Sequence, residues 1–130
     1  MKTNLVLILM LIANPVWADW TKVAESENKL EIYIDLQTVH KDGNNRKVWQ
    51  LTNYPTPQFA NGQELLSIRA RYEFDCKQDR RRSLIATAFT ELFAGGKSIG
   101  TEDVVGDWKD IPPDSVVWET MKRVCKAPTR

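Results

Sequence analysis

Histidine and cysteine are scarce in this chain: 130 residues contain one His and two Cys. So few ligands cannot supply the three or four clustered side chains of an ordinary metal site. The sequence also lacks a Gly-x-Ser-x-Gly nucleophile motif and a glycine-rich phosphate loop, and its single histidine, His40, lies at the edge of a predicted turn. We therefore expect no enzymatic activity, no metal and no cofactor.

An excess of charge of one sign is absent as well, since 18 Lys and Arg residues face 17 Asp and Glu residues. This balance removes the long-range attraction to phosphate on which nucleic-acid binding mainly depends. Nor is there an apolar run of the about 20 residues that a membrane-spanning helix needs. We expect neither a nucleic-acid partner nor a transmembrane span.

The N-terminus has the pattern of an export signal. A basic residue precedes an apolar run at residues 5–13, and the small residues that a signal peptidase prefers stand at Val16 and Ala18. We predict a signal peptide at residues 1–18 and one mature domain at residues 19–130. Because no cysteine follows Ala18 to carry a lipid anchor, the expected location is the periplasm or the cell surface.

Alternating apolar and polar residues predict an antiparallel sheet of about six strands. The pattern is clearest at residues 67–76, where Ile68, Ala70, Tyr72, Phe74 and Cys76 share one face and charged residues occupy the other. Shorter strand-like runs lie at residues 20–24, 29–35, 46–54, 81–89 and 98–104. Prolines at positions 55 and 57 predict a surface loop at residues 54–64.

The end of the chain predicts one amphipathic helix. Pro112 and Pro113, followed by Asp114 and Ser115, are typical of a helix start, because proline fits the first turn and the polar side chains cap free backbone amides. From there the residues Val117, Trp118, Met121, Val124 and Cys125 fall within one third of the helix circumference. The fold class expected is α+β, with a single sheet and a C-terminal helix.

The two cysteines each lie on the apolar face of a predicted element, Cys76 on a strand and Cys125 on the helix. In an exported protein this arrangement favours one disulfide, which would fasten the helix to the inner face of the sheet. The alternative is a reactive or metal-binding pair, but neither a Cys-x-x-Cys spacing nor a nearby histidine supports it.

A basic patch is the first candidate binding surface, and it would suit sulfated glycans or acidic protein segments. Its residues are Arg69, Arg71, Lys77, Arg80, Arg81 and Arg82. The alternative is that Glu73, Asp75 and Asp79 neutralise the patch and the arginines only keep a sheet edge soluble. A second candidate is an aromatic group formed by Trp20, Trp49, Tyr54 and Trp108, which would suit an interface if exposed and the core if buried.

The sequence resembles the surface-adhesin protein E family of Gram-negative bacteria. The residues that carry the resemblance are Asp19-Trp20, Ile32-Tyr33-Ile34-Asp35, Val48-Trp49-Gln50-Leu51-Thr52-Asn53-Tyr54, Tyr72-Glu73-Phe74-Asp75-Cys76 and Val124-Cys125. The resemblance implies a twisted antiparallel sheet with a C-terminal helix disulfide-linked to its concave face. It also implies adhesion to host extracellular-matrix or serum proteins such as laminin, vitronectin and plasminogen.

The resemblance transfers only Cys76 and Cys125 as individual residues, and both transfer as structural residues. This sequence departs from a surface adhesin of the family in one respect, because it offers no cysteine for lipidation next to the predicted cleavage site. The alternative function is therefore a soluble periplasmic protein that binds a small ligand, or an envelope partner, in a groove between helix and sheet.

Overall fold

The computed structural model describes residues 18–129, so the predicted signal peptide lies outside it except for Ala18. Eight strands and one helix are formed in this range. In chain order they are β1 (Trp20–Glu25), β2 (Glu31–Asp35), β3 (His40–Asp42), β4 (Asn45–Ala60), β5 (Gln63–Asp75), β6 (Arg80–Phe89), β7 (Ser98–Glu102), β8 (Lys109–Asp110) and the helix α1 (Val116–Lys126). Short 3-10 turns lie at Leu36–Thr38 and Leu92–Ala94.

All strand pairs are antiparallel, and six strands follow one another across the sheet in the order β1-β2-β4-β5-β6-β7. The short strands β3 and β8 pair with β4 and β6. The predicted α+β fold with about six strands is confirmed, and the two extra strands contain only three and two residues.

The predicted loop at residues 54–64 is wrong, because β4 continues to Ala60 and β5 begins at Gln63. The two strands form a long hairpin that turns at Asn61 and Gly62, both with positive φ angles. Proline removes a backbone donor, which excludes it from regular ladders. Pro55 and Pro57 are accommodated because the β4–β5 pairing is irregular between Asn53 and Gln58.

The helix α1 begins where the sequence predicts. The Ser115 hydroxyl accepts a hydrogen bond from the backbone N–H of Trp118, which satisfies one of the free amides at the helix start. Met121 and Val124 point into the core and are buried there with a set of sheet side chains: Ile34, Val48 and Phe74. The helix contacts mainly β1, β4 and β5.

A disulfide joins Cys76 to Cys125, with an S–S distance of 2.00 Å and 5.9 Å between the two Cα atoms. Cys76 directly follows β5, and Cys125 lies in the last turn of α1. The predicted bridge is confirmed, and it fastens the end of the chain to the middle of the sheet.

The helix α1 packs against one of the two sides of the sheet. We call the side that faces α1 the inner side and the opposite side the outer side. Tyr72 and Phe74 pack with the helix and so mark the inner side of β5. Because side chains alternate along a strand, Arg69 and Arg71 lie on the outer side.

Candidate functional site

The residues of the predicted basic patch do not share one side of the sheet. Arg80 and Arg82 pair with Asp75 and Glu73 on the outer side of β5, next to the outer residues Arg69 and Arg71. Arg81 lies between Arg80 and Arg82 on the same strand and therefore faces the inner side, opposite Phe74. Lys77 is exposed in the turn between β5 and β6.

Arg80 and Arg82 are held by carboxylates. Arg80 Nε lies 3.0 Å from Asp75 Oδ2, and Arg82 Nη2 lies 2.7 Å from Glu73 Oε1. The two guanidinium groups also approach the ring of Trp108, at 4.8 Å and 4.4 Å from its centroid. Asp75 and Glu73 therefore neutralise the charges of Arg80 and Arg82, as the alternative interpretation of the sequence expected.

Both carboxyl groups have pKa values below their ordinary ones, which favours their charged forms. Burial alone would raise the pKa of Glu73, but hydrogen bonds from Asn45 and Arg82 outweigh it, and the pKa lies below its ordinary value. Burial would likewise raise the pKa of Asp75. Hydrogen bonds from the backbone N–H groups of residues 77 and 78 and from Arg80 instead lower that pKa.

Arg81 is not available to a ligand on the outer side. Its guanidinium carbon lies 4.3 Å from the ring centroid of Tyr72, and the residue is partly buried. Burial lowers the pKa of Arg81, while Tyr72 and Tyr54 act in the opposite direction. Burial also raises the pKa of Tyr54, and Tyr72 and Arg81 influence that pKa as well, so this aromatic residue lies near these two inner-side residues.

Arg69 and Arg71 differ from the other arginines of the patch, because neither forms an ion pair with a carboxylate within residues 18–129. The exposed Arg69 lies beside two rings, 5.9 Å from the centroid of Trp49 and 5.2 Å from that of Phe89. Arg71 lies directly across from Trp49 in the β4–β5 ladder. We call Trp49, Arg69 and Arg71 the outer arginine surface.

A strained turn at Leu92–Ala94 adjoins this surface. Phe93 and Ala94 have φ angles of 57° and 56°, a left-handed conformation that non-glycine residues rarely adopt. The backbone N–H of Phe93 donates to Asn53 Oδ1 at 2.9 Å, and that of Ala94 donates to Ser67 Oγ at 3.0 Å. Because Asn53 and Ser67 are buried, the turn is held firmly in this conformation.

The strained turn presents apolar side chains to solvent. Phe93 is 51% exposed and Leu92 is 45% exposed. The Phe93 ring also packs edge-on against Tyr33, with 5.2 Å between centroids. Protein-binding hot spots are enriched in tryptophan, tyrosine and arginine, and Trp49 lies beside Arg69 and Arg71 on this surface. The outer arginine surface and this turn are therefore the candidate site.

Sequence reasoning missed the strained turn. The apolar pair Leu92-Phe93 just before Gly95-Gly96 was a visible indication, since exposed turns rarely carry two large apolar residues in succession. The anchors Asn53 and Ser67 gave no such indication. They lie 40 and 27 residues from the backbone amides that they hold, and only strand pairing brings them together.

Two further properties concern the described part of the chain. Within residues 18–129, no group of three or more His, Cys, Asp or Glu side chains is placed to hold a metal ion. No helix in the same range is long and apolar enough to cross a bilayer.

Comparisons with known proteins agree with this architecture. A sequence profile of the family described as "Surface-adhesin protein E" matches residues 20–126. Crystal form II of Haemophilus influenzae protein E superposes with a TM-score of 0.65 at 13% identity, covering 85% of this chain and 89% of the other. A second structure of that protein gives 0.62 at 13% identity, covering 85% and 86%. At this identity the superpositions show a shared fold. No curated protein sequence matches the chain.

Proposed function

This chain belongs to the surface-adhesin protein E family, and from that premise we propose that it is an exported adhesin that binds host extracellular-matrix or serum proteins. Membership supports an adhesin role and a binding protein rather than an enzyme. The specific partners proposed are laminin, vitronectin and plasminogen. We propose that the outer arginine surface makes the contact, with acidic segments of the host protein as its targets.

The observation that carries this proposal is that neither Arg69 nor Arg71 has a carboxylate partner in the described part of the chain. Within residues 18–129 every other arginine on the outer side of the sheet has a carboxylate partner. A guanidinium group presents a planar fork of donors that fits a carboxylate or sulfate in a bidentate geometry. Trp49 adds a large apolar contact beside it, and the strained turn adds Phe93. These features support an acidic partner with an apolar component.

The proposal is tested with the double variant Arg69→Gln/Arg71→Gln, which removes two positive charges and keeps long polar side chains. Laminin, vitronectin and plasminogen are immobilised separately, and binding of the purified mature protein is measured by biolayer interferometry. We expect at least one of the three to bind, and the double variant to bind that partner about tenfold more weakly. Added salt should reduce binding by the wild-type protein.

The matched control is Arg123→Gln/Lys126→Gln, which removes the same amount of charge from the exposed side of α1. If this control weakens binding as much as the outer variant does, the attraction is general and the site is wrong. If none of the three host proteins binds at about micromolar concentration, adhesion to these partners is refuted.

Location follows from the same proposal. We propose that residues 1–18 are removed on export and that residues 19–130 form the mature domain. Surface labelling of intact cells tests whether the mature domain is at the cell surface, because an adhesin must be accessible from outside. A protein found only in the periplasm would favour the alternative function, binding of a small ligand or an envelope partner. The observation that favours this alternative is an open groove on the inner side of the sheet, at the end next to β7, although no residue of α1 lines it.

A further inference from the structure

The helix α1 leaves part of the inner side of the sheet uncovered. Ile68 on β5 pairs directly with Ala88 on β6, and Ala70 pairs with Ala86, so all four side chains share the inner side with Tyr72 and Phe74. The end of this side next to β7 forms an open groove of about 530 Å³. Its apolar lining includes Ile68, Ala86, Ala88, Ile99 and Val104.

The groove runs along a sheet edge that is available for pairing. β7 pairs with β6 on one side, and no described strand pairs with its other side. Residues 98–102 contain neither proline nor lysine, which are the residues that commonly protect an edge. The opposite edge, β1, is protected differently: it carries a register shift at Lys22, whose ammonium group is held by Glu25 and Glu31.

The charge at this edge selects the partner. Glu102 and Asp103 line the groove and have no ion-pair partner within residues 18–129. Val104 and Val105 follow them and are 69% and 56% exposed. A segment that pairs with β7 would lie about 4.8 Å beyond it, with every second side chain at the open mouth of the groove and its charged ends beside the two carboxylates.

We propose that the β7 edge binds an extended polypeptide segment of a partner protein, with alternating aliphatic side chains in the groove and a Lys or Arg beside Glu102 and Asp103. The segment adds a strand to the sheet. The small residues Ala86, Ala88 and Gly100 leave room for aliphatic side chains of moderate size to reach from the added strand across β7 into the groove. This site is on the opposite side of the sheet from the outer arginine surface. It binds a basic segment, whereas the outer arginine surface is proposed to bind acidic segments, so this inference does not depend on the proposed adhesion.

The test uses three labelled heptapeptides and the mature protein: the basic peptide KVTVTVK, the acidic peptide EVTVTVE, and the basic peptide with N-methyl groups on alternate residues. Fluorescence anisotropy measures binding, and it detects dissociation constants up to about 1 mM. We expect saturable binding of the basic peptide alone, because the acidic one is repelled and N-methylation removes the strand hydrogen bonds. Amide shifts in a titration should change mainly at residues 86–88 and 98–104.

The variant Glu102→Lys/Asp103→Lys should weaken the basic peptide about tenfold or more and improve the acidic one. Both residues are exposed, so the variant should fold, and its melting temperature verifies this. The matched control is Glu27→Lys/Asp42→Lys, which makes the same charge change at exposed positions elsewhere and should bind as the wild type does.

Three results would overturn the proposal. The first is no saturable binding of the basic peptide, and the second is equal binding by the edge variant. The third is dimerisation of the protein alone through residues 98–104, which would place a second copy of the chain at this edge. The variant Arg69→Gln/Arg71→Gln should leave peptide binding unchanged, so failure here and failure of the proposed adhesion are distinguishable.

Discussion

Removing the disulfide should lower stability by an amount set by the length of chain that it closes. The perturbation is Cys76→Ala/Cys125→Ala, which deletes the bridge and leaves small apolar side chains. The bridge spans a sequence separation of 49 residues. For a loop of this length the chain-entropy relation gives about 4 kcal/mol, because the linked unfolded chain has fewer conformations to lose on folding.

This amount is large for a domain of this size. Domains are stable by about 5–15 kcal/mol, so the variant retains a folded state with a reduced margin. A loss of about 4 kcal/mol corresponds to a decrease in melting temperature of roughly 15 °C. The native contacts of α1 through Met121 and Val124 remain, and we therefore expect the helical circular dichroism of the folded variant to match the wild type.

Urea unfolding followed by tryptophan fluorescence provides the measurement, with Trp118 on the helix as one reporter. The denaturant slope should rise in the variant, because its unfolded chain exposes more surface. The matched control is Glu119→Ala/Lys122→Ala, which removes an exposed ion pair of 3.1 Å from the same helix. It should cost only about 0.5 kcal/mol.

Either of two outcomes would refute this reasoning. A loss below about 1 kcal/mol would mean that the unfolded chain is already restricted, so that the bridge removes little entropy. A loss above about 6 kcal/mol, with the helical signal gone, would mean that the bridge maintains native packing rather than restricting the unfolded chain.

Three further predictions concern single residues of the sheet and helix. The fold lowers the pKa of Glu73 and of Asp75, so the stability that each charged carboxylate adds to the protein should be fully present above its ordinary pKa, 4.5 for Glu73 and 3.8 for Asp75. That stability should be lost as the pH falls through the ordinary pKa towards the lower pKa of the folded protein. Urea midpoints measured between about pH 7 and pH 3 check this, and the Glu73→Gln variant should show a flatter profile. Ser115→Ala removes the helix cap and should cost about 1 kcal/mol in the same assay, whereas Ser115→Asp should retain the stability. Ser67→Ala leaves the Ala94 N–H and the Glu91 carbonyl without their partner and should cost about 1–3 kcal/mol. Faster hydrogen exchange at residues 91–95 would locate that loss, and unchanged exchange would contradict the anchoring role of Ser67.

The secondary structure and the bridge could be predicted from short stretches of sequence. The alternation from Ile68 to Cys76 identified a strand with one buried side, and Ser115 with the apolar positions up to Cys125 identified a capped helix. The two periodicities placed both sulfur atoms on buried sides, and that was enough to pair them. Each of these inferences uses residues within about ten positions of one another.

The segment around Pro55 shows where local inference fails. Proline excludes a regular ladder, and this suggested a loop at residues 54–64. The structure instead continues β4 through an irregular stretch of its pairing with β5. Because the regular ladder is interrupted there, the missing N–H groups of the prolines break no ladder hydrogen bond. Whether a strand tolerates proline depends on the pairing at that position, and the partner strand is not visible locally.

The sequence by itself determined the fold class, the helix and the disulfide, because backbone periodicity and capping are properties of neighbouring residues. Only the tertiary structure decided which charges are free. Among the described residues it paired Arg80 and Arg82 with carboxylates, turned Arg81 to the inner side and left Arg69 and Arg71 without a carboxylate partner. It also held Phe93 in a strained turn on Asn53, 40 residues away. Strand register and long-range hydrogen bonds set these features, since they depend on which distant residues the fold brings into contact.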